Sequence, residues 1–145
     1  MEIYTIGFTK KSAEEFFGTL RRVGIRRLID IRLNNKSQLA GFTKQEDLIY
    51  FLREICGAEY LHEPRLSPTQ EMLEGYREKR LSWEDYERQF AALLEERQVE
   101  KAVDRRLFDE PTVLLCSEPT PEHCHRRLVA EYLSAKWGGA EITHL

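Results

Sequence analysis

The sequence predicts one α/β domain in which helices cover both faces of a mostly parallel, five-stranded sheet, a three-layer α/β/α arrangement. Three observations support this prediction. Short apolar runs alternate along the chain with longer segments of helical periodicity. Capping residues and glycines separate most of these segments. The 145 residues contain no repeat, low-complexity segment or linker, so we expect a single domain over residues 1–145.

The first half of the chain is expected to form a βαβ unit followed by a loop, a helix and a third strand. The predicted elements are a strand over residues 3–6, a helix from Ser12 to Gly24, a strand over 26–32, a loop over 33–42, a helix from Thr43 to Gly57 and a strand over 59–62. Ser12 and Glu15 have the spacing of a capping box, and Gly24 suits a helix end. The polar loop, which includes Ser37 and Gln38, is a candidate binding loop.

The second half is expected to add helices, a central strand and an edge strand. The predicted elements are a short helix from Ser67, a longer helix from Ser82, a bend or second helix near Val99, a strand over 113–116, a helix from Pro121 to Trp137 and a strand over 140–144. Thr120 and Pro121 are typical of a helix start, because threonine can cap it and proline lacks the N–H that a first turn leaves unpaired. The simplest strand order for this series is 3-2-1-4-5, with the first strand beside the fourth.

Composition and charge indicate a protein of the reducing cytoplasm. A net charge of -3 provides no overall basic field that would attract nucleic acid or an anionic membrane. No apolar run is as long as a membrane span, and the amino terminus is typical of a strand rather than of a signal peptide. Three cysteines, an odd number, favour free thiols over a disulfide framework and therefore a cytoplasmic location.

The strongest functional signal is the stretch that joins the fourth strand to the following helix. Between the strand end and the first helical turn, it carries Cys116, Glu118, His123, Cys124, His125 and Arg126. In α/β folds, ligands bind outside the carboxyl ends of the strands, where helix N-termini offer free N–H groups. The predicted topology brings further residues to the same crevice, namely Gly7, Asp30 and Arg32.

These residues predict a site for a small anionic ligand. Arg32 and Arg126 are expected to bind the anion, since a guanidinium donates two parallel hydrogen bonds to a phosphate or carboxylate. Gly7 and Cys116 are expected to line the same ligand site. The alternative is an internal ion-pair network in which Asp30 or Glu118 neutralises an arginine, and the sequence leaves both interpretations open.

Catalytic roles are assigned to four residues of the crevice. Glu118, with Asp30, is the acid–base candidate, because different surroundings can push the pKa values of two carboxylates apart. Cys124 lies near a helix start, where the dipole and a neighbouring arginine favour the reactive thiolate, and His125 is an acid–base or ligand-contact candidate. The structural alternatives are that Cys124 is a small packed hydrophobe and that His125 is a buried group bonded to a backbone carbonyl.

Four short motifs, in the same order, are similar to those of the DUF488 family of uncharacterised proteins. They are Tyr4-Thr5-Ile6-Gly7, Asp30-Ile31-Arg32, Leu115-Cys116-Ser117-Glu118 and Cys124-His125-Arg126. Nearly the whole chain resembles this family, although it has Phe8 where many members have histidine. The resemblance implies an α/β fold and supplies no activity, so the function has to be argued from the site.

Several familiar chemistries lack their sequence patterns. The chain has neither a Gly-x-Gly-x-x-Gly nor a P-loop motif, and we predict no cofactor. No arginine follows Cys116 at the spacing of a phosphatase or rhodanese loop. The stretch contains cysteines and histidines, the residue types that bind zinc. Side chains of adjacent residues on a helix, however, point about 100° apart around its axis. Cys124 and His125 are therefore not expected to share an ion, and no metal site is predicted.

The function favoured by the sequence is binding of a phosphorylated, nucleotide-like small molecule, with hydrolysis or group transfer by Glu118 and Asp30. One alternative is a non-catalytic module that binds a nucleotide or nucleic acid. Its support is weak, because the arginine pairs of the chain are scattered among acidic residues. Another alternative is a thiol or metal sensor built on Cys116 and Cys124. No membrane partner is expected.

Overall fold

The computed structural model describes residues 1–36, 41–118 and 120–145, and it confirms an α/β fold with a five-stranded, all-parallel sheet. The strands are β1 (Glu2–Gly7), β2 (Arg27–Asp30), β3 (Glu59–His62), β4 (Thr112–Cys116) and β5 (Glu141–His144). The helices are α1 (Ala13–Val23), α2 (Gln45–Phe51), α3 (Gln70–Arg77), α4 (Trp83–Arg97), α5 (Val99–Ala102) and α6 (His125–Lys136). Within the predicted binding loop, Ser37 and Gln38 lie outside the described residues.

The observed strand order is β3-β2-β4-β1-β5, so the predicted order 3-2-1-4-5 is wrong in that the first and fourth strands are exchanged. β4 takes the central place between β2 and β1, and all five of its residues are buried. The most apolar strand is thus covered on both edges and both faces, as expected of a central parallel strand. The predicted pairing of the first and fourth strands is confirmed.

Helices cover both faces of the sheet, and each face has its own apolar core. The face covered by α1 and α2, here called the α1 face, buries Phe16 and Leu48 against Leu115. The opposite face, here called the α6 face, is covered by α4 and α6 and buries Phe90 against Leu114. Because strand side chains alternate between faces, neighbouring residues at a strand end serve different sites.

A topological switch point lies at the carboxyl ends of β1 and β4, where the sequence predicts the crevice. These neighbouring strands lead into helices on opposite faces, since α1 follows β1 and α6 follows β4. Such a switch point is where ligands bind in open α/β sheets. The two loops are joined across the crevice by a hydrogen bond of 3.0 Å from the backbone N–H of Thr9 to the carbonyl of Ser117.

Some helix boundaries agree with the sequence patterns and others differ. Ser12 caps α1 by accepting a hydrogen bond from the backbone N–H of Glu15, and Gly24 ends it in the left-handed region at φ 80°. The last helix, however, begins at His125 and not at Pro121, because residues 121–124 form a turn. None of the helices in the described part of the chain has both the length and the apolar character needed to cross a membrane.

Candidate functional site

Arg126 lies in the first turn of α6 and is completely buried against the backbone of the crevice. Its Nη1 donates a hydrogen bond of 2.6 Å to the carbonyl oxygen of Glu118. A Cβ atom at Gly7 would overlap with that carbonyl oxygen and with Nη1 of Arg126. Gly7 is therefore required by the close approach of the two chain segments, and the predicted grouping of Gly7, Glu118 and Arg126 is found.

Two nitrogen atoms of the Arg126 guanidinium have no hydrogen-bond partner among the described residues. Nε and Nη2 are both buried and make no hydrogen bond to any residue that the structure describes. Burial lowers the pKa of Arg126 to about 10, so the group remains charged at neutral pH. Burial and then the charge of Arg126 lower the pKa of Lys11, which places a second cation near the crevice.

Asp30 and Arg32 form a closed ion pair on the α1 face. The Nε of Arg32 donates to Oδ1 of Asp30 at 2.8 Å and its Nη2 donates to Oδ2 at 2.9 Å. The hydroxyl of Tyr60 donates to the same carboxylate at 2.6 Å. Asp30 is fully buried and Arg32 is only 4% exposed. The structure thus brings these residues to the carboxyl edge but joins them to each other rather than to Arg126.

Cys116, Cys124 and His125 form a buried cluster on the α6 face. The Sγ atoms of Cys116 and Cys124 are in contact, and Nδ1 of His125 lies 3.2 Å from Sγ of Cys116. The other ring nitrogen, Nε2, lies 2.7 Å from the carbonyl oxygen of Ile31. A carbonyl can only accept, so Nε2 carries the proton and the lone pair of Nδ1 is directed toward the sulfur atoms.

The chemistry of this cluster depends on its dry surroundings. Desolvation is the main cause that lowers the pKa of His125 to about 4, so the imidazole is neutral at physiological pH. The ring of Phe90 meets the imidazole edge to face, with centroids 5.6 Å apart. When Cys116 and Cys124 are reduced, the cluster therefore offers two thiols and one neutral imidazole nitrogen in an apolar setting, a donor set that suits soft or borderline metal ions.

Cys124 and His125 come together because Cys124 is not helical. It stands just before α6 with φ -133° and ψ 138°, an extended conformation. The divergence of about 100° between neighbouring helical residues therefore does not apply to this pair. The extended residue turns the Cys124 side chain toward Cys116, while His125 starts the helix.

The model of the family described as "Domain of unknown function DUF488" matches residues 12–133 of the 145-residue chain. The chain belongs to the DUF488 family. The matched region includes every candidate site residue except Gly7. No curated protein and no solved structure shows a detectable match to the chain. Membership in DUF488 therefore confirms the resemblance and leaves the activity to be argued from the geometry.

The ring of Trp83, beside the crevice, was not predicted as part of the site, whereas His123 was. The ring of Trp83 stacks on His123, with centroids 4.8 Å apart and an angle of 23° between planes. Burial, together with the charges of Tyr76 and Glu118, raises the pKa of Tyr86, which places Glu118 near this group. The periodicity of α4 indicated only core packing here, and nothing in the sequence pairs α4 with the turn before α6.

Proposed function

We propose that the protein binds a small anionic, phosphorylated molecule in the crevice between β1 and β4, with Arg126 as the principal cation. The observation that carries this proposal is the fully buried guanidinium with two donors unpaired among the described residues. An uncompensated buried charge is costly, and a phosphate oxygen pair would accept both donors and neutralise the charge. Lys11 adds positive potential to the same crevice.

The proposed ligand is nucleotide-like because an aromatic surface lies on the same side of the molecule. His123 is exposed and lies three residues before Arg126 in the sequence. The ring of Trp83 stacks on the ring of His123. A planar base could stack on an exposed ring of this kind while its phosphate is bound by the arginine. This arrangement supports a nucleotide over a simple inorganic anion as the preferred ligand.

If the bound molecule is turned over, Glu118 is the acid–base group that we propose. Asp30 already accepts hydrogen bonds from Arg32 and Tyr60, so its carboxylate is committed to the ion pair. Glu118 is exposed, and its backbone carbonyl is held by Arg126 at the crevice. Hydrolysis or group transfer would then use one carboxylate rather than the expected pair. The test measures turnover of a nucleotide that the protein binds. We expect Glu118→Gln to lose turnover and the control Glu122→Gln to retain it.

Binding to nucleic acid finds less support in the surface charges. Arg127 is paired with Glu131 at 3.1 Å, and Arg106 is paired with Asp104 at 3.1 Å. Arginines that already have acidic partners contribute little to a phosphate-binding surface. Nucleic-acid binding that weakens steeply with salt would favour this second function over the first.

The test is a thermal-shift and calorimetry screen of inorganic phosphate, sulfate and nucleoside phosphates against three proteins. These are the wild type, Arg126→Met and the control Arg127→Met, which changes the neighbouring, partly exposed arginine. A ligand at about 100 times its Kd stabilises the fold by about 2.7 kcal/mol, or roughly 5–10 °C for a domain of this size.

We expect the shift in the wild type and in Arg127→Met, and its loss in Arg126→Met. A shift that persists in Arg126→Met would place the anion elsewhere and overturn the proposal. A wild type that no ligand in the screen stabilises or binds would overturn it as well.

A further inference from the structure

We infer that Cys116, Cys124 and His125 form a binding site for a thiophilic divalent metal ion, with zinc as the natural candidate. Their ligand atoms lie within 4.8 Å of one another, and all three side chains are buried. Two cysteine sulfurs and one histidine nitrogen are a zinc-type donor set. This site is independent of the anion site proposed for Arg126, because it uses different side chains.

The orientation of His125 is the first argument for a metal. Its Nε2–H donates to the carbonyl oxygen of Ile31 at 2.7 Å, which leaves Nδ1 as the free lone pair facing Cys116. Metal-binding histidines almost always donate their second N–H to a carbonyl or carboxylate in this way. The protein therefore supplies both the ligand atom and the contact that fixes its tautomer.

The separation of the backbones is the second argument. The Cα atoms of Cys116 and Cys124 are 7.2 Å apart, beyond the range of about 4.4–6.8 Å usual for a disulfide. Two sulfurs bound to one tetrahedral zinc ion lie about 3.8 Å apart, given Zn–S bonds of about 2.3 Å. Both cysteines can reach one zinc ion by rotation of their side chains alone. A disulfide between them would require their backbones to move closer together.

Charge balance is the third argument. Binding of a divalent cation to two thiols and a neutral imidazole releases two protons and gives a complex without net charge. Such a complex avoids most of the desolvation cost that two buried thiolates would carry alone. The ion would also cross-link the end of β4 to the start of α6 and, through Ile31, to the residue after β2.

Three protein ligands leave one tetrahedral position for an outside ligand. Within the described residues, the cluster contains no fourth cysteine, histidine or carboxylate. Sites with three protein ligands characteristically bind water or another small donor at the fourth position. We therefore expect the metal to accept an exogenous thiol or water there.

Cobalt(II) is the probe that we would use to test the site. The full chain is reduced, freed of metal with a chelator and titrated with Co²⁺, whose thiolate complexes give charge-transfer absorption and intense tetrahedral d–d bands. We expect saturation at one ion per chain and displacement of the spectrum by Zn²⁺. Cys116→Ser and Cys124→Ser should each lose the charge-transfer absorption, and His125→Gln should weaken binding by at least about tenfold.

The third cysteine provides the control. Cys56 lies at the end of the turn after α2 and is free, so Cys56→Ser should keep the complete cobalt spectrum. Thiol labelling is the second readout, because bound Zn²⁺ should protect two thiols of the wild type and none in a variant that does not bind. Circular dichroism establishes that each metal-free variant is folded.

Three outcomes would overturn the inference. The first is a reduced, folded wild type that gives no cobalt–thiolate absorption. The second is a spectrum that survives in folded Cys116→Ser or Cys124→Ser. The third is a protein that forms the Cys116–Cys124 disulfide and, once reduced, binds no metal, which would identify the pair as a redox switch instead.

Discussion

Replacing each of the two buried arginines by methionine is expected to change the free energy of unfolding differently: Arg32→Met should destabilise the protein clearly, whereas Arg126→Met should not. Arg32 and Arg126 are both almost inaccessible to solvent, at 4% and 0% exposure. Arg32 donates to a buried carboxylate, whereas Arg126 donates to the backbone carbonyl of Glu118 and to no other group among the residues that the structure describes. The comparison thus distinguishes an arginine that stabilises the fold, Arg32, from one to which we assign ligand binding, Arg126.

The magnitude for Arg32→Met follows from the charge that it leaves behind. Removing one partner of a buried ion pair typically costs about 3–5 kcal/mol. Asp30 would keep the Tyr60 hydroxyl at 2.6 Å and the backbone N–H of residue 32 at 3.1 Å. These remaining donors offset part of the loss, so we expect a destabilisation of about 3 kcal/mol.

Arg126→Met removes a buried charge that has no acidic partner in hydrogen-bond contact among the described residues. Replacing buried charges by apolar side chains is often neutral or stabilising by about 1–4 kcal/mol. The lost hydrogen bond to Glu118 costs about 1 kcal/mol. In the absence of anions, the variant should therefore lie between about 1 kcal/mol less stable and about 3 kcal/mol more stable than the wild type.

The assay is urea unfolding at neutral pH in a buffer without phosphate or sulfate, followed by the fluorescence of Trp83 and Trp137. The two variants should differ by about 2–6 kcal/mol, which is a gap of roughly 4–24 °C in Tm. Arg53→Met, at a side chain that is 65% exposed, should stay within about 0.5 kcal/mol of the wild type. A loss in Arg126→Met as large as that in Arg32→Met would refute the reasoning and make Arg126 part of the scaffold.

Further substitutions test the contacts that build the site. Gly7→Ala should destabilise the protein by about 3 kcal/mol or more, because backbone and a buried guanidinium block the new methyl group. Gly18→Ala, in the middle of α1, is the control. The new Cβ atom would lie 3.5 Å from the end of the flexible Arg22 side chain, so the free energy of unfolding in urea should rise by about 0.5–1 kcal/mol. Tyr60→Phe should cost about 1–3 kcal/mol by removing a hydrogen bond to buried Asp30, whereas Tyr50→Phe, at a half-exposed position, should cost less than about 0.5 kcal/mol. Equal effects within either pair would contradict the assigned contacts.

The ends of the first helix could be predicted from the sequence because interactions between neighbouring residues determine them. The hydroxyl of Ser12 has only to reach the N–H of Glu15, and Gly24 has only to tolerate a positive φ, so neighbouring residues decide both. The strand order was not predictable in this way. Both the predicted and the observed order connect the same elements in series, and which strand lies centrally depends on how two separate cores pack on the finished sheet.

The residues of the candidate site could be predicted from the sequence, but the contacts between them could not. The motifs placed Asp30, Arg32 and Arg126 at one edge of the sheet, and the structure confirms the edge. The alternation of side chains along the strands then puts Asp30 and Arg32 on the α1 face, away from the helix that carries Arg126. The partner of each charge is thus a tertiary property, which a linear pattern does not specify.

The start of α6 is where local signals and the fold disagree most. Thr120 and Pro121 favour a helix that begins there, yet the chain forms a turn until Cys124 and forgoes about one helical turn of hydrogen bonds. An earlier start would make Cys124 helical and would turn it away from His125. The later start instead directs Cys124 toward Cys116, beside the Nδ1 lone pair of His125. Sequences depart from their local preferences most often at functional sites, and this departure brings together the cluster to which we assign a metal ion.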